Sequence, residues 1–340
     1  MSDRILAILA GGFSRRFQSK EGQWSDKALM VYRNKPLLIH LLEESNRYYE
    51  HISISINTET RKKIYSSIIN KHIPNVYVKY VVDLKKTCFK GVLQGICSTM
   101  NSFTNKIIQF IPSDRPYLCF KILNELKVKN NGVSILKYSN GMIEPLLALY
   151  GSDSRIPKQF LKLPLARADV PIRLAQIIHI YSIDDLIEMN DIPYNIFANI
   201  NVHDDLNQTE FKLNNISDLI LPSPERIERQ YSPSLVDKNK AEDVLDVHSS
   251  LIEKEHYYTA YLWALLSLKQ KKIDLEMFEN IGKETLLKEI SFWKENNIPF
   301  LELHALLDLV NKFPDEQTKT NMTNVLRLKE KMKIKPRRLK

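Results

Sequence analysis

Short apolar runs alternate with amphipathic segments along the first two-thirds of the chain. The runs alternate with period two or are rich in β-branched residues, which predicts strands. They are residues 4–10, 51–57, 76–82, 106–112, 132–137, 144–150, 177–181 and 197–200. Four intervening segments repeat apolar residues at helical spacing, at 36–50, 58–71, 91–100 and 116–127. This alternation predicts an α/β fold with a doubly wound, mainly parallel sheet and helices on both faces.

The pattern changes after residue 215. Residues 216–240 contain three prolines and predict a linker. Beyond it, four segments have helical spacing, at 255–269, 275–296, 300–313 and 316–332. We therefore expect an α/β domain over 1–215 and a C-terminal all-α domain over 241–340 that folds separately. Tyr257, Tyr258, Tyr261 and Trp263 lie at helical spacing and are predicted to be core residues.

Charge separates the same regions. The 340 residues include 49 Lys or Arg and 40 Asp or Glu, a net charge of +9. Residues 1–220 carry 28 basic and 21 acidic side chains, 221–326 carry 13 and 18, and 327–340 carry 8 and 1. The basic first region favours a polyanionic ligand, and the basic tail predicts an anionic or protein partner.

Several classes of protein are disfavoured by what the sequence lacks. No apolar run reaches the roughly 18 residues of a membrane-spanning helix, and the N-terminal run is too short for a secretory leader. A cytoplasmic protein without a membrane partner is expected. Cys88, Cys97 and Cys119 form no CxxC pair and are expected to be buried free thiols. The histidines lack metal-site spacing, and no GxSxG motif supports hydrolase chemistry.

Residues suited to chemistry cluster where the predicted strands end. Gly11 and Gly12 follow the first strand, Asn57 the second, Asp83 the third and Asp114 the fourth. Ligands of parallel sheets bind outside the carboxyl ends of the strands, so one site is predicted there. Helix capping or turn formation is an alternative role for Asn57 and Asp83.

The loop after Gly12 is basic. Glycines let a ligand approach backbone N–H groups, and Ser14 adds a hydroxyl donor. Arg15, Arg16 and Lys27 can neutralise a triphosphate. The spacing matches neither GxxxxGK[ST] nor GxGxxG, which disfavours P-loop ATPases and dinucleotide-binding enzymes.

Six motifs, in this order, resemble the molybdenum cofactor guanylyltransferases of the nucleotidyltransferase superfamily. They are LAGGFSRR at 9–16 with DKAL at 26–29, Asn57, Asp83 with GVLQGI at 91–96, SDRP at 113–116, EPL at 144–146 and NINVHDDL at 199–206. The resemblance implies a Rossmann-like nucleotidyltransferase fold over the first two-thirds of the chain.

The resemblance also implies Mg²⁺-dependent transfer of GMP from GTP to molybdopterin, with release of pyrophosphate. Arg15, Lys27 and Asp114 would be catalytic. The nucleotide would contact Leu9, Ala10, Gly11, Gly12, Ser14, Lys27, Asn57, Asp83 and Asp114. The acceptor would lie near Gly91, Gly95, Arg167, Asn199 and Asn201. Mg²⁺ would be held by Asp114, with Asn201 as a second oxygen ligand.

The sequence departs from the family pattern at three places. Phe17-Gln18 replace Met-Gly, Val92 replaces Pro, and His203-Asp204 replace Pro-Glu. Two alternatives therefore stay open. One is cytidylyl or other nucleotidyl transfer to molybdopterin or a sugar phosphate, which Gly11-Gly12 disfavours for cytidylyl. The other is a regulatory protein that binds nucleotide without turnover.

Overall fold

The structure, a computed structural model, describes residues 4–12, 26–85, 87–197, 219–230, 243–314 and 318–333. Its centre is an eight-stranded sheet in the order β10-β9-β7-β8-β6-β1-β4-β5. The strands are β1 (Arg4–Leu9), β4 (Ile52–Ile56), β5 (Val78–Val82), β6 (Ile107–Pro112), β7 (Gly132–Lys137), β8 (Leu149–Tyr150), β9 (Ile177–Ser182) and β10 (Glu225–Glu228). A separate hairpin pairs β2 (Val31–Tyr32) with β3 (Lys35–Pro36).

The sheet is mainly parallel, which confirms the predicted fold class. β1 lies between β4 and β6 and is parallel to both, and β4 is parallel to β5. The short β8 runs antiparallel to β6 and β7. In this register Leu9 lies opposite Ser55 on one side and Pro112 on the other. The carboxyl ends of the four strands β5, β4, β1 and β6 therefore meet along one edge.

Six α-helices accompany the strands of the N-terminal region within the described ranges. They are α1 (Leu37–Ser45), α2 (Glu59–His72), α3 (Val92–Ser102), α4 (Phe120–Glu125), α5 (Val170–Leu174) and α6 (Ile183–Asn190). The helix α2 begins where the Thr58 side chain accepts a hydrogen bond from Arg61 N, so its start is fixed by an N-cap. The start of α3 instead follows Gly91, whose φ of 62° favours glycine.

The C-terminal region is helical, but it has one more helix than the sequence pattern predicts. Its described helices are α7 (Val244–Glu253), α8 (Tyr257–Lys269), α9 (Leu275–Glu295), α10 (Pro299–Lys312) and α11 (Thr318–Lys333). The additional helix is α7. Its valines and serines have modest helix propensity, and its start depends on the Asp243 side chain accepting from Leu245 N.

Part of the predicted linker is a strand of the sheet. Residues 225–228 form β10, which pairs antiparallel with β9, so Ile227 lies opposite Ile178. The flanking prolines dominate the sequence pattern, and Ile227 is the one apolar residue of the strand. An edge strand tolerates such charged composition, which hides it from pattern analysis. The strand predicted at 144–150 is likewise reduced to Leu149–Tyr150, and residues 198–200 of the last predicted strand lie outside the described residues.

The two regions share hydrophobic cores, which argues against the expectation that each folds separately. Phe89 and Leu93 belong to one cluster with Tyr258 and Tyr261 of α8. A second cluster joins sheet residues to the α9 residue Trp293 and to Ile298 and Leu301. Amphipathic spacing shows that a helix has an apolar face but does not identify what that face packs against.

Several smaller predictions can be compared with the structure. Tyr258, Tyr261 and Trp263 are buried as core residues. Cys97 and Cys119 are buried free thiols, whereas Cys88 is exposed, contrary to expectation. Within the described ranges, no helix combines the length and apolar composition required to cross a bilayer.

Candidate active site

A cavity of about 680 Å³ opens at the edge where β1, β4, β5 and β6 end. Ten residues predicted from the sequence to bind nucleotide or acceptor line it, and they are Leu9, Ala10, Gly11, Gly12, Lys27, Asn57, Asp83, Gly91, Gly95 and Asp114. Other lining residues include Asp26, Ser55, Lys85, Gln94 and Ser113. The tertiary fold thus brings these residues from six separate segments of the chain to one cavity. Their binding roles stay predictions.

The backbone after β1 passes close to the end of β4. A Cβ atom at Gly11 would lie 3.3 Å from Asn57 N, a tight contact for a side-chain carbon. Ala10 N donates to Ser55 O at 2.9 Å, which holds the two strand ends together. The absence of a side chain at Gly11 therefore permits this close approach.

Three buried polar side chains, those of Asp26, Arg61 and Tyr65, hold the same loop in place. The guanidinium of Arg61 donates to Ala10 O at 3.0 Å and to Gly12 O at 2.8 Å. Its Nε also lies 3.3 Å from Asp26 Oδ2, and the Tyr65 hydroxyl lies 2.9 Å from the same oxygen. Burial raises the pKa of Asp26, and the Arg61 charge opposes this shift. Arg61 thereby fixes the carbonyls of the loop, and Asp26 and Tyr65 hold the Arg61 side chain and the loop together.

Lys27 and Asp114 form an ion pair on the cavity wall. Lys27 Nζ donates to Asp114 Oδ2 at 2.8 Å, and both side chains are mostly buried. Asp26 caps the short 3-10 helix that begins at Lys27, since its Oδ1 accepts from Ala28 N at 3.1 Å. The position of Asp114 follows from the end of β6, where Ser113 N donates to Leu9 O.

Two acceptor oxygens in the cavity wall have no hydrogen-bond partner among the described residues. They are Asp83 Oδ1 and Asn57 Oδ1, and both are buried. Burial raises the pKa of Asp83 to about 6, and Arg61 opposes the shift. An unsatisfied buried acceptor costs about 1–3 kcal/mol, so both positions favour a ligand that donates hydrogen bonds.

The first turn of α3 forms another part of the cavity wall. Gly91, Val92, Gln94 and Gly95 all face the cavity. A Cβ at Gly95 would lie 2.8 Å from Ser55 Oγ and 3.6 Å from Asp83 Oδ1. Gly95 therefore lets the helix pack closely against the ends of β4 and β5.

Arg167 is not among the residues that line the cavity, and its predicted place beside the acceptor stays a prediction. Its Nη2 lies 2.7 Å from Asp308 Oδ2 of α10, and its Nε lies 3.3 Å from Asp169 Oδ1. The sequence around Arg167 does not identify its partner, because Asp308 lies 141 residues away and is brought to Arg167 by the packing of α10. The predicted residues Ser14, Arg15, Asn199 and Asn201 lie outside the described residues.

Sequence patterns missed the residues that support the site. Arg61 and Tyr65 occupy an ordinary amphipathic helix, and neither belongs to a strand-end motif. Both residues are nevertheless buried, because only 5% of the Arg61 surface and 0% of the Tyr65 surface is exposed. Their spacing of four residues places them on one helix face. This spacing alone does not indicate that the face contacts the glycine loop, which only the tertiary structure shows.

The oxygen chemistry of the cavity fits a magnesium ion. Within the described ranges no three His, Cys, Asp or Glu side chains form a metal-binding cluster. Magnesium usually keeps several waters and takes one or two carboxylates together with substrate phosphates. Asp114, with a carboxylate on the cavity wall, meets that modest requirement, and the unpartnered Asp83 and Asn57 oxygens are of the same hard type. Asn201, the predicted second ligand, lies outside the described residues.

Comparisons with known proteins agree with this geometry. Residues 6–169 match the family described as MobA-like NTP transferase domain. The molybdenum cofactor guanylyltransferase of Aliivibrio salmonicida is 28% identical over 207 residues, 59% of this chain and 92% of that protein. The enzyme of the same name from Mannheimia succiniciproducens is 31% identical over 123 residues, 35% of this chain and 55% of that protein.

A solved structure was also found, the molybdopterin-guanine dinucleotide biosynthesis protein A of Archaeoglobus fulgidus. It is 23% identical, with a TM-score of 0.46, over 59% of this chain and 94% of that one.

The match over residues 6–169 and the named relatives identify the class as a nucleotidyltransferase, and a mainly parallel sheet with a cavity at its carboxyl edge agrees with that class. More particularly, residues 6–169 match the MobA-like NTP transferase domain, and the strand-end residues Gly11, Asn57, Asp83 and Asp114 lie within the matched segment. The relatives named above are enzymes of this class, so the predicted recognition and enzyme class are confirmed.

Proposed function

We propose that this protein transfers GMP from GTP to molybdopterin with release of pyrophosphate. The observation that carries the proposal is the convergence of the Lys27–Asp114 pair and the unpartnered Asp83 carboxylate oxygen in one cavity. Relatives covering 59% of the chain are named for guanylyl transfer, which supports this substrate pair. The helical region beyond residue 243 lies outside the matched domain.

The reaction joins two anions, so positioning and charge neutralisation determine its rate. A terminal phosphate oxygen of molybdopterin attacks the α-phosphorus of GTP and forms a new P–O bond. The bond from the α-phosphorus to the bridging oxygen breaks, and pyrophosphate leaves with that electron pair. Lys27 provides positive charge beside the cavity, while Gly11 and Gly12 let phosphates approach the backbone.

Asp114 would hold Mg²⁺ through its carboxylate. When bound, the ion neutralises phosphate charge and orients phosphate oxygens. The Asp114 carboxylate pairs with Lys27 through Oδ2, and this pairing fixes where the second oxygen points. Lys27 therefore orients the carboxylate as well as contributing charge.

The Asp83 carboxylate is suited to a guanine base. Guanine presents two donors on its Watson–Crick edge, and a carboxylate can accept both. Cytosine presents two acceptors and one amine, so the same carboxylate would face lone pairs. A site built on such pairing can reject the wrong base by about 10⁴–10⁵. Asn57 Oδ1, also unpartnered among the described residues, offers a further acceptor nearby.

The experiment measures pyrophosphate release from GTP, CTP and ATP, with Mg²⁺ and with or without molybdopterin. We expect release with GTP only when molybdopterin is present. Equal turnover of CTP would replace the proposal with cytidylyl transfer. Tight binding of GTP without pyrophosphate release from any acceptor would identify a nucleotide-binding protein without turnover.

A further inference from the structure

The helical region is joined to the active-site domain by a buried cluster of charges. Arg173 of α5 is fully buried, and its Nε and Nη2 donate to the two Glu289 oxygens of α9, each at 2.7 Å. Its Nη1 lies 2.8 Å from Asp308 Oδ2 of α10. The Asp308 oxygen thus accepts from both Arg167 and Arg173.

Arg167 is the member of this cluster that directly follows residues 161–166, the segment beside the cavity loop. It bridges Asp308 and Asp169, and its Nη1 also donates to His304 O at 3.3 Å. Asp169 in turn lies 3.0 Å from His304 Nδ1. Arg167 and Asp169 are therefore anchored to α10, and the residues just before Arg167 lead directly into this anchored position.

The same segment is hydrogen-bonded to the strand-to-helix loop that leads into the cavity. Leu161 O accepts from Cys88 N at 2.8 Å, and Leu165 O accepts from Lys90 N at 3.0 Å. Next comes Gly91, with its φ of 62°, where a Cβ would lie 4.0 Å from Ala166 O. Gly91 and Val92 both line the cavity.

We propose that Arg167 and Asp308 are positioning residues through which the helical region fixes loop 87–91 and the start of α3 on the acceptor side of the cavity. Neither side chain lines the cavity, so each acts through residues 161–166. The nucleotide side has separate supports. Arg61 of α2 donates to the glycine loop, and Asp26, which precedes the 3-10 helix at Lys27, pairs with Arg61. The assignment of loop 87–91 to the acceptor side rests on the proposed function.

The test substitutes Arg167 and Asp308 one at a time in the full chain. Arg167→Met removes the guanidinium but keeps a long apolar side chain, and Asp308→Asn removes one charge at similar volume. Asp246→Asn is the matched control, because Asp246 is an exposed residue of α7 in the same region. Hydrogen exchange without any ligand is followed in peptides covering residues 84–93 and, for reference, β1.

Both variants should speed amide exchange at Cys88 and Lys90 by about three- to thirtyfold, as expected for a change along a coupled network. Exchange in β1 and in the Asp246→Asn control should stay at the wild-type rate. Unchanged exchange at residues 88–90 would overturn the proposal. An equal rise in β1 would also overturn it, since it would report only a loss of global stability.

A kinetic measurement adds a second readout. In both variants the KM for molybdopterin should rise about three- to thirtyfold, while the KM for GTP changes less than twofold. The double variant should lose less than the sum of the two single variants, because both remove the contact between Arg167 and Asp308. An equal rise in both KM values would overturn acceptor-side positioning. If the wild type shows no turnover, the proposed function fails, whereas the exchange experiment still tests the loop.

Discussion

Lys27 Nζ and Asp114 Oδ2 lie 2.8 Å apart although 87 residues separate them in the sequence. Lys27 begins a short 3-10 helix after the glycine loop, and Asp114 follows the end of β6. The pair therefore joins the two segments that the strand-end motifs identified separately. It places a cation and an anion on the wall of a cavity proposed to bind a triphosphate and a magnesium ion.

Asp114→Asn should lower turnover by about 10²–10³ while the protein stays folded. The substitution keeps the side-chain shape but removes the charge that would hold the metal, and loss of one preorganised electrostatic group has about this effect. Steady-state pyrophosphate release gives the rate, and circular dichroism reports the fold. Turnover within about threefold of wild type would show that Asp114 is not the metal ligand.

Nucleotide affinity should depend on pH through Asp83. Burial raises the pKa of its carboxyl from 3.8 to about 6, so the carboxylate proposed to accept the guanine donors is lost as pH falls through about 6. The GTP Kd should rise below that pH, and Asp83→Asn should remove this component of the profile. Since the folded pKa is raised, this group's contribution to stability also decreases as pH increases from about 4 to 6.

Calorimetric titration between pH 5 and 8 would measure this dependence. Inosine triphosphate, which lacks the exocyclic amine, should bind wild type about tenfold to a hundredfold more weakly than GTP, the loss expected for one hydrogen bond to a charged group. If Asp83→Asn leaves the preference for GTP over inosine triphosphate unchanged, Asp83 does not read the base.

Gly95→Ala should destabilise the protein even though alanine is the better helix former. Helix propensity favours alanine by up to about 1 kcal/mol, but the new Cβ would lie 2.8 Å from Ser55 Oγ. Overpacking of a tight contact costs about 1–3 kcal/mol, so the steric effect wins. Chemical denaturation should show this loss, and Ser55→Ala should restore most of it because the clashing oxygen is removed. A failure of that rescue would rule out this contact as the cause.

Arg61→Met should lower the free energy of unfolding of the protein by about 3–5 kcal/mol, because it breaks a buried ion pair that holds the glycine loop. Asp26 would lose its cation, and Ala10 O and Gly12 O would lose their donor. Burial already raises the pKa of Asp26, and removal of Arg61 should raise it further. The deficit should therefore be larger at pH 8 than at pH 5, because the unpaired carboxylate is neutralised in acid. A deficit independent of pH in urea denaturation would contradict this account.

A chain truncated after residue 230 should not fold into a stable domain. The cut would expose Phe89 and Leu93 in one shared cluster and leave Arg173 without Glu289 and Asp308. Each large apolar side chain returned to water costs about 1.5–3 kcal/mol, so the exposure of a few of them removes a large part of the stability of a typical domain. Cooperative thermal unfolding of the truncated chain near the wild-type temperature would show instead that the regions are independent.

The central strands of the sheet and the residues that meet at the cavity edge follow from local patterns. Apolar runs such as 4–9 and 107–112 are buried on both faces, so their hydrophobicity marks them as central strands. Because parallel strands end at one edge, the residues after them, Gly11, Asn57, Asp83 and Asp114, were predicted to converge. All four line the same cavity.

The sequence by itself determined the class of the domain, the positions of most helices and strands, and the strand-end residues of the cavity, because each depends on spacing within a few residues. Only the tertiary structure decided that Arg61 supports the glycine loop and that Arg167 pairs with Asp308, 141 residues away. It also decided that 225–228 complete the sheet and that the helices share its core. These features depend on which surfaces meet, and contacts between distant segments leave no periodic signal in one sequence.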